Sequence, residues 1–147
     1  MEKTEDRDDN RPLAILFTNL LWDTAVYKAD FAFQSMVHWV RHSVDWFAKH
    51  PEYRLIIRIH PAEIRIPFKE SRSPVINYLP ELPANIQVFN SVETVDSYAL
   101  LDHARLALVY TSTIGLEATL LGKYTVVSGQ THYGGKGFTA DPVSIEH

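Results

Sequence analysis

The sequence of 147 residues contains no cysteine, which excludes a disulfide scaffold and any thiolate metal site. No apolar run approaches the roughly 20 residues needed to span a bilayer, and the charged N-terminus lacks the apolar segment of a signal peptide. Positive charge is also scarce, since 14 Lys and Arg stand against 18 Asp and Glu. Nucleic-acid-binding domains usually carry a basic stripe, so we do not expect a nucleic-acid partner. These absences fit a protein of the reducing cytoplasm.

Several motifs of nucleotide and metal sites are missing as well. There is neither a Gly-x-Gly-x-x-Gly pattern nor a Walker A loop, which excludes a standard dinucleotide site and a P-loop. Residues 12–147 lack an Asp-x-Asp pair and a His-Glu-x-x-His motif. His38 and His42 are four residues apart, but no acid is placed to complete a metal site with them. We therefore expect no metal cofactor.

The sequence divides into a short polar leader and one domain. Residues 1–11 are nearly all charged or polar and are predicted to be a disordered leader or part of a linker. Residues 12–147 form the predicted domain, in which apolar runs alternate with helical segments. The predicted strands are 13–17, 54–60, 86–89, 106–110 and 124–127.

Most of these strands are apolar throughout, which is typical of a parallel sheet covered on both faces. Right-handed crossovers then favour a Rossmann-like, doubly wound α/β sheet of five strands in the order 3-2-1-4-5. In such a sheet the ligand lies at the carboxyl ends of the strands, near the switch point between strands 1 and 4. The fold therefore predicts where chemistry-bearing residues should meet.

Three helices and one short helical segment are predicted between the strands. The longest covers residues 31–49, with Asp30 as its N-cap and with Trp39 and Trp46 outside its apolar face. The others are 74–79 with Ser73 as cap, 92–103 with Tyr98 among its inner positions, and a mostly buried helix from residue 114 to the stop at Gly122.

The turn after the fourth strand is the main candidate site. It contains Thr111, Ser112 and Thr113, followed by Gly115, and it opens a helix whose first amides favour anions. The pattern indicates a phosphate site, although hydroxyl residues are also ordinary helix caps. Glu117 lies one turn further along, where its carboxylate would accept hydrogen bonds from a ribose; the alternative is a surface acid favoured by the helix dipole.

Polar residues also follow the other strands. Asn19 ends the first strand, while Arg58 and His60 share one face of the second. His60 is a candidate phosphate ligand or acid–base catalyst, or else a structural histidine, and Arg58 is a phosphate clamp or a simple surface charge. Lys136 is the central cation of a Gly-rich loop at 132–137 and is either a phosphate ligand or incidental. The pair of Trp22 and Asp23 forms either a polar site or a turn.

With these residues in view, the sequence resembles the C-terminal, nucleotide-sugar-binding half of a GT-B glycosyltransferase, in the capsule polysaccharide biosynthesis and export group. The matching stretches are TNLLWD (18–23), IRIHPAE (57–63), NIQVFNSVETVDSYALL (85–101), LVYTSTIGLEATLLGK (108–123) and HYGGKGFTADP (132–142). By this resemblance His60, Ser112, Thr113 and Lys136 would face the donor phosphates and Glu117 would meet the ribose.

The resemblance also implies partners and a larger protein. A GT-B enzyme has two Rossmann-like domains, so this chain is expected to be one half of a longer protein and to turn over nothing alone. Its partners would be a nucleotide-activated sugar, the second domain, and membrane-associated polysaccharide machinery at the inner face of the membrane. Two alternatives stay open: a non-enzymatic, flavodoxin-like regulatory or assembly module, and the donor half of a nucleotide-sugar epimerase or hydrolase.

Overall fold

A computed structural model describes residues 9–21, 32–65 and 73–146, without the side chains of residues 64 and 65. The five strands are β1 (Leu13–Phe17), β2 (Arg54–Arg58), β3 (Ile86–Phe89), β4 (Leu106–Val109) and β5 (Tyr124–Val127). The α-helices in these ranges are α1 (Met36–Lys49), α2 (Ser97–His103) and α3 (Ile114–Leu120), and two 3-10 helices cover Pro61–Arg65 and Val75–Tyr78. No helix in the described ranges has the length and apolar character needed to cross a lipid bilayer.

The strands form one parallel sheet in the order β3-β2-β1-β4-β5. This confirms the predicted α/β fold class and strand order. In the register of the sheet, Phe17 at the end of β1 lies beside Arg58 of β2 and Val109 of β4. The carboxyl ends of the three central strands therefore lie at one edge, and the polar residues after them share that edge.

Side chains that alternate along the strands divide the core into two layers. Leu16 of β1 and Ile57 of β2 pack with α1 on one face, whereas Ile15 and Ile56 pack on the other face with α2 and α3. All four are buried. Successive side chains of a strand point to opposite faces of the sheet. Arg58 lies two residues after Ile56 in β2, so it lies on the same face, the one covered by α2 and α3.

Helix α1 begins later than predicted and buries more of its surface. Ser35 is its N-cap and accepts a hydrogen bond from the His38 amide, so the prediction of a start at residue 31 is wrong. The predicted cap, Asp30, lies outside the described residues. Trp39, predicted to lie off the apolar face, is buried against Tyr110 with 5.4 Å between ring centroids. A helix packed on a twisted sheet buries a wider arc than one narrow stripe.

The other helical predictions also need correction. α2 starts at Ser97 rather than at residue 92, because the Asp96 carboxylate accepts from the Tyr98 amide at 2.9 Å and caps the helix there. The segment predicted as a helix over 74–79 is a 3-10 helix without a side-chain cap. α3 ends near Gly122, which has a φ of 75°, but Leu120 and Leu121 are exposed and not buried as predicted.

Candidate functional site

A cleft of about 270 Å³ opens at the carboxyl edge of the sheet. Its walls come from the ends of β1 and β2, the β4–α3 turn, and the first turns of α2 and α3. A second, shallower cleft of about 420 Å³ adjoins it along the β3–α2 loop and shares Arg58 and Pro61 with the first. This position agrees with the switch-point location that the strand order predicts.

Arg58 lies on the floor of both clefts. It is only 4% exposed, and its Nη1 donates to the Asn90 carbonyl oxygen at 2.8 Å. Its Nε has no hydrogen-bond partner among the described residues. Burial lowers the pKa of the guanidinium and the charge of Glu93 partly offsets this, so the group keeps its positive charge. The cleft thus contains a buried cation whose Nε donor is unpaired within the part of the chain that the structure describes.

The backbone and the ring of His60 each make a hydrogen bond that helps to place this residue at the end of β2. Its backbone amide donates to Thr18 Oγ1, and its Nδ1 accepts from the Ala62 amide, both at 3.1 Å. A neutral imidazole that accepts at Nδ1 carries its proton on Nε2. The ring lines the cleft and is therefore a donor through Nε2. Thr18, at the end of β1, accepts this bond and also lines the cleft.

The β4–α3 turn presents hydroxyl groups rather than open amides. Ser112 and Thr113 line the cleft, and Thr113, although it is the N-cap, makes no side-chain capping bond. The amides of Gly115 and Leu116 already donate to the carbonyl oxygens of Ser112 and Thr113, at 3.2 and 3.0 Å. The expectation that open helix amides bind an anion is therefore not met by those two groups.

Thr111 and Asn19 lie behind this turn and outside the cleft lining. The Asn19 side-chain oxygen accepts from the Thr111 amide at 3.2 Å, and Asn19 is 6% exposed. Thr111 Oγ1 is buried and has no partner within the described part of the chain. Both residues join the ends of β1 and β4, so their predicted contact with phosphate would need a rearrangement of this pair.

Glu117 lines the cleft as the sequence predicts, and it has a partner that the sequence did not reveal. The hydroxyl of Tyr98, in the first turn of α2, donates to Glu117 Oε2 across the mouth of the cleft. This hydrogen bond and the negative charge of the carboxylate raise the pKa of Tyr98. Tyr98 was predicted as an inner residue of its helix, but it is 53% exposed.

Gly115 and Lys136 do not line the cleft. A Cβ atom on Gly115 would lie 2.4 Å from the Tyr133 hydroxyl oxygen and 2.7 Å from Val109 Cγ2, so this glycine permits close packing beneath α3. Lys136 is exposed in the loop between Gly135 and Gly137, which both have positive φ. Of the pair Trp22 and Asp23, nothing is described.

Tyr133 anchors the Gly-rich loop to the candidate site. It is 2% exposed, and its hydroxyl donates to the Ser112 carbonyl oxygen. Burial, together with the charge of Asp141, raises the pKa of Tyr133 to about 12, so the hydroxyl stays protonated. From the sequence this residue was predicted only as part of the Gly-rich loop at 132–137, not as its anchor.

No group of three or more His, Cys, Asp or Glu that could hold a metal ion occurs within the described ranges. His38 and His42 both pack against the ring of Phe33, with centroid distances of 5.7 and 5.6 Å. His38 Nδ1 also accepts from the Gln34 amide. These contacts give the pair a structural role, and metal independence stays a prediction.

A buried carboxyl group under the His60–Pro61 turn should make stability depend on pH. Glu63 is 1% exposed and accepts from the Val75 amide at 3.2 Å, and burial raises its pKa above 4.5. Because the folded state binds this proton more tightly than the unfolded chain, its contribution falls as pH rises through the folded pKa. We expect Glu63→Gln to raise the urea midpoint at pH 7.5 but not at pH 4.

The matched control for this experiment is Glu52→Gln, since Glu52 is exposed. It should leave the midpoint unchanged at both pH values. A loss of stability for Glu63→Gln that is larger at pH 7.5 than at pH 4 would contradict the assignment, because it would mean that the folded state favours the ionised carboxylate.

Comparison with known proteins identifies the family. The sequence model described as "Capsule polysaccharide biosynthesis protein" matches residues 1–146. This chain belongs to that family. This family is the capsule polysaccharide group that the sequence motifs resemble. The observed Rossmann-like fold is also the one expected for half of a GT-B architecture. A search against curated proteins found no match.

Three solved structures resemble the domain. KpsC of Thermosulfurimonas dismutans appears twice, as a β Kdo 2,4 transferase with TM-score 0.66 and 19% identity, and as a β Kdo 2,7 transferase with 0.61 and 17%. The matches cover 93% and 92% of this chain and 40% of each KpsC chain. The glycotransferase of kitacinnamycin matches with TM-score 0.52 and 20% identity, over 93% of this chain and 32% of its own. This capsule-family chain thus spans 40% or less of the length of each of these proteins. At sequence identities of 20% or less, the similarity shows a shared fold and no more.

Proposed function

We propose that this domain binds the nucleotide-activated sugar donor of a glycosyltransferase that acts in capsule or surface polysaccharide biosynthesis. The observation that carries the proposal is Arg58, a buried guanidinium on the cleft floor whose Nε has no partner among the described residues. The charge of Glu93 offsets only part of the cost of burying this cation. An anionic ligand in the cleft accounts for its presence, and a nucleotide phosphate has the required charge and acceptor oxygens.

The remaining lining residues suit the other parts of such a ligand. His60, with its proton on Nε2, and the hydroxyls of Ser112 and Thr113 are donors for phosphate oxygens. Glu117 is an acceptor for ribose hydroxyls at the other side of the cleft. In a transfer reaction the charge on the departing nucleotide would be stabilised by Arg58 and these donors. Lys136 is exposed on the Gly-rich loop and does not line the cleft, so it would contact the phosphates only if this loop brought it to the cleft.

The full reaction would require more than this domain. The acceptor site and the catalytic base would belong to a second domain of a longer protein, so the domain alone is expected to bind donor without transferring sugar. The proposal includes a setting at the cytoplasmic face of the membrane, beside the polysaccharide machinery, as the resemblance to the capsule group implies. No step of the proposal uses a metal ion.

Isothermal titration calorimetry with CMP, UDP and GDP tests the proposal. The domain should bind at least one of them, and His60→Ala should lower that affinity about tenfold, because a hydrogen bond to a charged phosphate is lost. His50→Ala is the matched control, since His50 caps the C-terminal end of α1 at the opposite edge of the sheet. A folded domain that binds none of the three nucleotides would sink the proposal and favour the flavodoxin-like module.

A further inference from the structure

The contact between Tyr98 and Glu117 is the feature of the cleft that the proposed function leaves unexplained. Tyr98 belongs to α2 and Glu117 to α3, and the two side chains meet across the mouth of the cleft. An exposed tyrosine normally directs its hydroxyl to water, but this one is committed to Oε2 of a single carboxylate. The bond therefore restricts a long acidic side chain at the place where a ligand would enter.

The carboxylate keeps acceptor capacity after this contact. An ionised Glu has two oxygens with about four lone-pair positions, and one hydrogen bond from Tyr98 occupies one of them. In the described ranges Glu117 makes no ion pair, since the salt bridges there involve Asp9 with Arg11 and Arg54. Glu117 is thus oriented by Tyr98 and able to accept two further hydrogen bonds from neighbouring hydroxyls.

We propose that Tyr98 is a positioning residue that orients the Glu117 carboxylate to receive the vicinal hydroxyls of a ribose. The proposal rests on the proposed function, because it assumes that the cleft binds a nucleotide. Tyr98 does not itself contact the sugar in this account. Its effect reaches the ligand only through Glu117, and it should therefore depend on whether the ligand has ribose hydroxyls.

The test is a comparison of ribonucleotides with their 2′,3′-dideoxy counterparts, using calorimetry on the wild-type domain and on Tyr98→Phe. The wild type should prefer the ribo form of its best ligand among CMP, UDP and GDP by about tenfold. Tyr98→Phe keeps the ring and removes the hydroxyl. It should therefore reduce the affinity for the ribonucleotide several-fold and leave the affinity for the dideoxynucleotide unchanged. Glu117→Gln should reduce the same preference.

Tyr124→Phe is the matched control, since Tyr124 is an exposed tyrosine at the start of β5, on the opposite edge of the sheet. It should alter neither affinity. If Tyr98→Phe weakens both ligand forms equally, Tyr98 is merely structural and the inference is wrong. If the wild type binds nucleotide without preferring the ribo form, the inference fails while the proposed function stands. If it binds no nucleotide, both fail.

Discussion

Replacing Arg58 by methionine is expected to lower nucleotide affinity by about 30-fold, equivalent to about 2 kcal/mol, because a phosphate in the cleft would lose its buried cation. The same change should leave the free energy of unfolding nearly unchanged, because the lost hydrogen bond to the Asn90 carbonyl oxygen offsets the relieved desolvation penalty. The guanidinium is 4% exposed and its Nε is unpartnered within the described ranges, so an apolar side chain of similar length removes a desolvation penalty. Calorimetry and urea denaturation measure the two effects separately.

Arg54→Met is the matched control because it changes the same residue type at the other end of the same strand. Arg54 contacts Asp9 at 3.3 Å near the surface, away from the cleft. The Arg54→Met substitution should reduce the free energy of unfolding by no more than about 1 kcal/mol and leave the nucleotide affinity unchanged. Unaltered binding by Arg58→Met would show that the buried cation does not serve the ligand, and a large loss of stability would show that its role is structural.

Replacing Gly115 by alanine is expected to destabilise the fold by roughly 1–3 kcal/mol, because the new Cβ has no room. It would lie 2.4 Å from the Tyr133 hydroxyl oxygen and 2.7 Å from Val109 Cγ2, and both side chains are buried. A glycine that served a phosphate cradle would give the opposite result, with binding lost and stability retained. Thermal denaturation of the variant therefore separates the packing role from the sequence-based expectation.

The double variant Gly115→Ala with Tyr133→Phe tests the cause of this destabilisation. Removing the Tyr133 hydroxyl deletes the nearest clashing atom, so the double variant should be more stable than the sum of the two single changes predicts. Val109 stays in place, which is why the rescue should be partial. If Gly115→Ala is as stable as the wild type, the close approach beneath α3 is not a constraint.

The strands could be predicted because their signal is local. The run 13–17 is buried except at its first residue, the run 86–89 is buried only at Ile86 and half-buried after it, and the ends of both strands were predicted correctly. Helix starts were harder, because the sequence offers several capping residues and tertiary packing selects among them. Ser35 and Asp96 are the caps used, although residues 30 and 91 are equally suitable by type.

The candidate site was predictable where a residue follows directly from a strand end. Arg58, His60, Ser112 and Thr113 line one cleft because parallel strands place their carboxyl ends together. The position of Lys136 and the packing of Tyr133 against Gly115 depend on the path of the Gly-rich loop, and no local pattern encodes that path. Tyr98 and Glu117 are 19 residues apart in sequence and belong to different helices, so their contact also needed the three-dimensional structure.

The central claim is that the cleft at the carboxyl edge of the sheet binds a nucleotide, and NMR titration of the ¹⁵N-labelled domain tests it most directly. Addition of CMP, UDP or GDP should cause saturable shifts at the amides of Thr18, His60 and Ser112 for at least one nucleotide. A well-dispersed spectrum that does not respond would contradict the claim. So would shifts confined to the apolar groove between α1 and β4, at His42, Trp46 and Leu106.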